Sequence, residues 1–160
     1  MAAVVCNASP LIALAKAGLL DVFPLLFDPI YLPVAVEDEI ARGPSGDPMR
    51  DCLSHTAWLR RVRLDPPLSP LASWQLGAGE AEVIEFARLH PDHGVVLDDR
   101  AARRAALGLG LMVYGTLSIL ALARKQKLIL SFRQAAQSVE NAGLYIQPSL
   151  VNSIAMELGE

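Results

Sequence analysis

The chain has 160 residues, of which 52% are hydrophobic and 19% charged, and its formal net charge is −3. This composition predicts one domain with a large interior and excludes a disordered chain. The acidic balance argues against a generally basic nucleic-acid binder, although a local basic face or a metal can still recruit phosphate. Two cysteines form no disulfide framework, and no secretory signal is visible, so we predict a cytoplasmic protein.

The opening of the chain predicts a buried strand that runs directly into a helix. Residues 4–6 are apolar, and the polar residue Asn7 stands where this strand should end. Ser9 is a candidate N-cap with Pro10 at the first helical position, and Gly18 closes the helix. Because α/β proteins place function at the carboxyl ends of strands, Asn7 is the first candidate site residue.

The rest of the chain alternates short apolar runs with helical patterns. Further strands are predicted over residues 30–32, 58–64, 95–97 and 111–114. Helices are predicted over residues 19–27, 33–41, 48–55, 71–76, 80–89, 100–107, 116–127, 132–141 and 148–158. This alternation predicts an α/β fold with a mostly parallel sheet that is covered on both faces.

One uncharged stretch, residues 105–123, approaches the length of a membrane span. Three glycines interrupt it, and it divides well into a helix end, a strand and a new helix capped by Thr116. We therefore predict no membrane segment here.

Several acidic side chains are expected to point toward the protein interior. In the helix that begins at Glu80, this residue lies within the apolar sector, whereas Glu82 and Glu85 point away from it. In the helix that begins at Pro33, Glu39 lies near the buried side. Unpaired buried charges are costly, so both inward acids need a partner.

Asp98 and Asp99 follow a fully apolar strand, at the position where α/β proteins bind ligands. Inward acids on separate elements favour a hard divalent cation, Mg²⁺ or Mn²⁺, held by oxygen ligands. Each acid also has a purely structural interpretation. Glu80 can interact with the helix dipole, Glu39 can pair with an arginine, and either aspartate can cap the next helix.

The order of five short motifs resembles the PIN-domain superfamily. The similarity is strongest to a prokaryotic branch of PIN-like proteins related to the VapC toxins, and it covers nearly the whole chain. The motifs are Asn7-Ala8-Ser9-Pro10-Leu11-Ile12, Val36 with Glu39-Ile40, Gly79-Glu80-Ala81-Glu82-Val83-Ile84, Leu97-Asp98-Asp99-Arg100 and Gly115-Thr116-Leu117.

This resemblance implies a three-layer α/β/α fold, with a mostly parallel sheet of strand order 3-2-1-4-5, in a single domain over residues 1–160. It implies an Mg²⁺- or Mn²⁺-dependent endoribonuclease of the toxin–antitoxin type. Such proteins are commonly homodimers that a cognate antitoxin inhibits. RNA is the implied substrate.

The resemblance also assigns site residues. The strand-one acid falls on Asn7, the helix acid on Glu39 and the central acid on Glu80. The fourth-strand acid falls on Asp99, with Asp98 as the alternative because the register is uncertain by one residue. Ser9 and Thr116 match positions at which the family places hydroxyl groups around the site.

A basic face follows the acidic pair. Arg100, Arg103 and Arg104 share one side of the helix after Asp99, opposite a row of alanines. These arginines can receive an RNA backbone, and an ordinary solvated helix face is an equally good interpretation.

Asn7 departs from the family pattern, since an amide oxygen can ligate a metal but removes a negative charge from the centre of the cluster. The alternative function is therefore a weak or inactive PIN-like module that binds RNA or a protein partner.

Overall fold

A computed structural model describes residues 1–66 and 76–160 of the chain. Its strands form one parallel sheet in the order β3-β2-β1-β4-β5. The strands are β1 (Ala2–Cys6), β2 (Phe27–Pro33), β3 (Leu59–Val62), β4 (Gly94–Val96) and β5 (Val113–Tyr114). The predicted fold class and strand order are confirmed.

Helices connect the strands and cover the sheet. Among the described residues they are α1 (Ala8–Lys16), α2 (Val22–Leu26), α3 (Val34–Ala41), α4 (Pro48–Cys52), α5 (Ala78–Leu89), α6 (Arg100–Gly108), α7 (Thr116–Lys125), α8 (Phe132–Asn141) and α9 (Pro148–Glu157). The predicted helix from residue 48 to 55 continues past α4 as a 3₁₀ turn, Leu53–His55. The helix predicted over residues 71–76 lies outside the described residues except for Leu76.

The core consists of the apolar central strands and the helices that pack on them. Val4, Val5 and Cys6 of β1 are fully buried, as are Val95 and Val96 of β4. Burial of both faces explains why these strands are apolar without alternation. Helix α5 packs against α6 and the central strands, and α1 packs against α4, α7 and α8. These two groups of helices complete the three layers.

Two predicted helix caps are wrong by one or two residues. Helix α1 begins at Ala8, so its N-cap is Asn7, whose extended backbone ends the strand, and Ser9 is already helical. Helix α7 has Gly115 as its N-cap, and Thr116 is its first helical residue. In both places the strand turns directly into the helix, which moves the cap onto the residue that ends the extended segment.

The uncharged stretch of residues 105–123 divides among α6, β5 and α7, as predicted. Within the described ranges, no helix combines the length and apolar character that crossing a bilayer requires.

One carboxylate, that of Glu160, links α7, α8 and the end of the chain after α9, in addition to the direct packing of α8 on α7. It accepts hydrogen bonds from the backbone N–H groups of Phe132 (2.8 Å) and Arg133 (3.1 Å), and from the Ser131 hydroxyl (2.8 Å). The Arg124 Nε donates a fourth bond of 2.7 Å. The Phe132 N–H bond, followed by the other three, lowers the pKa of Glu160 to about 2. The carboxylate thus caps the amino end of α8.

We expect Glu160→Gln to lower the free energy of unfolding at pH 7 by about 1–2 kcal/mol, since it removes the charge from this cap. A lowered folded-state pKa stabilises the protein above the ordinary carboxyl pKa of 4.5, and this contribution is lost as the pH falls toward about 2. Urea denaturation at pH 7 and at acidic pH measures the difference. The exposed Glu157, changed to Gln, is the control; an equal loss in both variants contradicts the assignment.

Candidate functional site

The site lies where the strand order of the sheet reverses. The chain adds β2 and β3 on one side of β1, and then adds β4 and β5 on the other side. The N–H of Asn7 donates a 3.1 Å hydrogen bond to the Val96 carbonyl, so the carboxyl ends of β1 and β4 lie side by side. Open α/β sheets bind ligands in the crevice at such a switch point.

Asn7 and Glu39 converge on one point above helix α5. A Cβ added to Gly79 would lie 2.9 Å from Glu39 Oε2 and 3.1 Å from Asn7 Oδ1. Asn7 is buried, with 3% exposure, and its Oδ1 has no hydrogen-bond partner among the described residues. A buried oxygen without a donor costs free energy unless a ligand supplies the missing interaction. Because Gly79 has no side chain, the Asn7 and Glu39 oxygens have room to come close to each other there.

Glu80 is the next acid in this cluster. Its carboxylate folds back over Gly77, at the amino end of α5. Partial burial raises the pKa of Glu39, and the nearby charge of Glu80 raises it further, while Arg42 acts in the opposite direction. The two carboxylates thus repel each other, and a cation between them would relieve the repulsion.

Asp98 and Asp99 have different contacts. Asp98 accepts two hydrogen bonds from Thr116, one from its N–H (2.8 Å) and one from its hydroxyl (2.6 Å). Asp99 is exposed and accepts a 2.9 Å bond from the Ala102 N–H as the N-cap of α6. The capping interpretation therefore describes Asp99, whereas Asp98, which follows β4, is held by Thr116 at the start of α7.

The three arginines of the predicted basic face also differ in their surroundings. Arg100 and Arg103 line a cavity of about 510 Å³ together with Asp98, and Arg104 is exposed outside its lining. A Cβ on Gly115 would overlap the Arg103 guanidinium, so this glycine admits the arginine next to Asp98.

A smaller depression of about 240 Å³ lies on the other side of the site. Ser9, Lys16 and Glu39 contribute to its walls. Ser9 is exposed there, whereas Thr116 is buried under Asp98.

Glu82 and Glu85, which are predicted to point away from the apolar sector of α5, are not fully exposed to solvent. Glu85 is buried, with 4% exposure, and pairs with Arg88 at 2.7 Å. Glu82 is half-buried and accepts a 3.0 Å hydrogen bond from the Ala35 N–H at the start of α3. Glu82 thereby ties α3, which carries Glu39, to α5, a role that the helical periodicity of α5 alone does not reveal.

A family model, DUF3368, described as a PIN domain, matches residues 3–160. The chain belongs to the PIN-domain family. PIN domains are generally nucleases, and PIN-domain nucleases typically use divalent metals. No curated protein matches the sequence.

The donors of this PIN domain fit a hard cation that keeps much of its water shell. Within residues 1–66 and 76–160, no three His, Cys, Asp or Glu side chains form a ready-made metal-binding group. The oxygens of Asn7 and Glu39 meet at Gly79 with Glu80 beside them, and Asp98, which follows β4, lines the cavity of about 510 Å³. Mg²⁺ is commonly held by one or two carboxylates, with water and substrate phosphate as its other ligands. The orphaned Asn7 oxygen supports this fit.

We expect Glu39→Gln to raise the Tm of the metal-free protein at pH 7 by no more than about 1 °C, since it removes a partly desolvated charge beside Glu80 that solvent screens because Glu39 is exposed. A raised folded-state pKa costs stability once the carboxyl ionises, so the gain should appear as the pH rises through 4.5 and vanish below it. Differential scanning calorimetry across this pH range measures the effect. Glu140→Gln, at an exposed position of α8, is the control, and an equal gain there contradicts the repulsion argument.

Proposed function

We propose that this protein is an Mg²⁺- or Mn²⁺-dependent endoribonuclease that hydrolyses RNA phosphodiester bonds. The observation that carries the proposal is the convergence of Asn7 Oδ1 and Glu39 Oε2 at Gly79, beside Glu80. This cluster lies at the switch point of a PIN-domain sheet, with two arginines on the adjacent wall. Membership of a nuclease family supports the reaction class.

Asn7, Glu39, Glu80 and Asp98 are the proposed metal-binding residues. A bound divalent cation lowers the pKa of a coordinated water and neutralises charge that develops on the phosphate. The contacts of the two aspartates favour Asp98, which was the alternative in the sequence analysis, over Asp99.

The other residues hold the reacting groups in position. Thr116 fixes both oxygens of Asp98, so this carboxylate cannot rotate freely. Asp99 caps the helix that begins with Arg100 and thereby sets the start of the basic wall. Arg100 and Arg103 form no ion pair with any described residue. Arg103 Nη1 donates a 3.5 Å hydrogen bond to the Leu97 carbonyl, which leaves its other N–H groups to bind phosphate oxygens.

A second candidate function is a catalytically weak PIN-like module that binds RNA or a protein. Asn7 favours it, since a neutral ligand at the centre of the site reduces the attraction for a cation. The lack of a three-carboxylate group in the described part of the chain favours it as well.

The toxin role, the homodimer and the cognate antitoxin stay predictions. A neighbouring gene that encodes a small DNA-binding protein is the simplest observation that would support a toxin–antitoxin pair. Co-expression of the two products, followed by purification through a tag on one of them, tests the association directly.

We expect Asp98→Asn to reduce Mn²⁺-dependent RNA cleavage by at least about 100-fold, since metal assistance contributes several kcal/mol to phosphate hydrolysis. The matched variant Asp99→Asn should retain most of the activity, because asparagine is an equally good N-cap. Cleavage of end-labelled RNA with and without EDTA measures both. Loss of activity in Asp99→Asn alone, with its thermal stability unchanged, would reverse the assignment.

We expect Asn7→Asp to increase the affinity for Mn²⁺ by about tenfold, since it adds a negative charge to a buried oxygen ligand. Isothermal titration calorimetry measures binding to both proteins. Asn152→Asp on α9 adds the same charge beside Arg133 and is the control. Binding by the wild type supports the enzyme. Binding that appears only in Asn7→Asp supports the inactive module and contradicts the proposed activity.

A further inference from the structure

The cavity of about 510 Å³ is larger than a phosphate-binding site requires. Its volume lies within the range of roughly 300–1,000 Å³ that is usual for small-molecule pockets. The start of α6, the start of α7, the loop of residues 142–147 and α9 form its walls. Asp98 is part of the lining, so the cavity includes one of the proposed metal ligands.

The walls of this cavity have opposite character. Arg100 and Arg103 make one wall cationic. Leu144, Leu150 and Ile154 make the other wall apolar. A ligand that fills the cavity therefore needs an anionic part and a flat or apolar part. A nucleotide combines a phosphate with an aromatic base, and single-stranded RNA is recognised through such pairs of contacts.

Tyr145 stands at the rim with 84% of its surface exposed. An exposed aromatic ring in the same cavity as cationic side chains is the arrangement that stacks on bases of single-stranded nucleic acid. Its neighbour Ile146 is buried, with 5% exposure. This anchor keeps the loop against the body of the protein while Tyr145 faces solvent.

The smaller depression indicates the path that an extended ligand would follow from the larger cavity. Lys16 and Glu39 line it, and Leu144 lines both this depression and the larger cavity. The loop of residues 142–147 thus separates two depressions, and each of them contains one proposed metal ligand and at least one cation. A chain of linked phosphates can follow this path, whereas a single small molecule would use only one depression.

We propose that the loop of residues 142–147 is a nucleotide-recognition element, in which Tyr145 stacks on a base of single-stranded RNA while Arg100 and Arg103 bind its phosphate. The substrate class rests on the proposed function. An acidic peptide is the competing ligand. The second depression favours RNA, since a chain of linked phosphates can contact Arg100 and Arg103 in one depression and Lys16 in the other.

Fluorescence anisotropy of an end-labelled, single-stranded RNA, with EDTA present to prevent cleavage, tests the stacking. We expect Tyr145→Ala to weaken binding about tenfold, as the loss of one base–aromatic stack predicts. Tyr145→Phe keeps the ring and should stay within about twofold of the wild type. Leu130→Ala removes an equally exposed apolar side chain outside the cavity, and binding should not change.

An RNA with abasic positions separates stacking from a general loss of affinity. The wild type should bind it as weakly as Tyr145→Ala binds normal RNA, and Tyr145→Ala should not distinguish the two RNAs. Equal affinity of the wild type and Tyr145→Ala for normal RNA would overturn the proposal. Binding of an acidic aromatic peptide in place of RNA would also overturn it.

RNA cleavage with Mn²⁺, measured on the same variants, keeps the two proposals distinct. RNA binding that depends on Tyr145, without RNA cleavage, would refute the proposed nuclease activity and support the nucleotide-binding role of the loop. RNA cleavage with the same kcat/KM in Tyr145→Ala as in the wild type would refute the nucleotide-binding role of the loop and support the proposed nuclease activity.

Discussion

The parallel pairing of β1 with β4 is the constraint on which the rest of the structure depends. Both strands are buried on both faces, so their register is fixed by the Asn7 N–H bond to Val96 and by the core around them. The strand order reverses between them, and open α/β sheets bind ligands at the carboxyl ends of the strands at such a point. Asn7 ends β1 and is buried, Asp98 follows β4, and α3 and α5 bring Glu39 and Glu80 to the same edge.

The electrostatics of the site follow from an amide at its centre. A carboxylate at position 7 would be a buried charge without a partner, and burial of such a charge is costly unless a cation is present. Asn7 avoids this cost, so the central strand is compatible with a metal-free protein. The remaining strain is the repulsion between Glu39 and Glu80, in a more exposed place. The same substitution therefore favours metal-free stability and weakens the attraction for a cation.

Much of the fold could be predicted from the sequence because buried parallel strands are continuous apolar runs, as in β1 and β4, and glycines such as Gly18 mark helix ends. The partners of individual polar side chains could not be predicted from the sequence. The periodicity of α5 sorts its residues by that helix's own apolar face and ignores the start of α3, which binds Glu82. Asp98 and Asp99 differ by one residue in register, and only the positions of Thr116 and Ala102 separate their contacts.

The Glu160 carboxylate has a mechanical consequence for the other end of the molecule. It fastens the first residues of α8, and Arg133 adds bonds to the Glu160 carbonyl and to Asn152 of α9. These two helices form a hairpin that is closed by hydrogen bonds at its open end, and the loop with Tyr145 is its tip. The Glu160 side chain thus fastens the base of the hairpin and Ile146 fastens its tip, so the loop that carries Tyr145 is held at both ends of the hairpin.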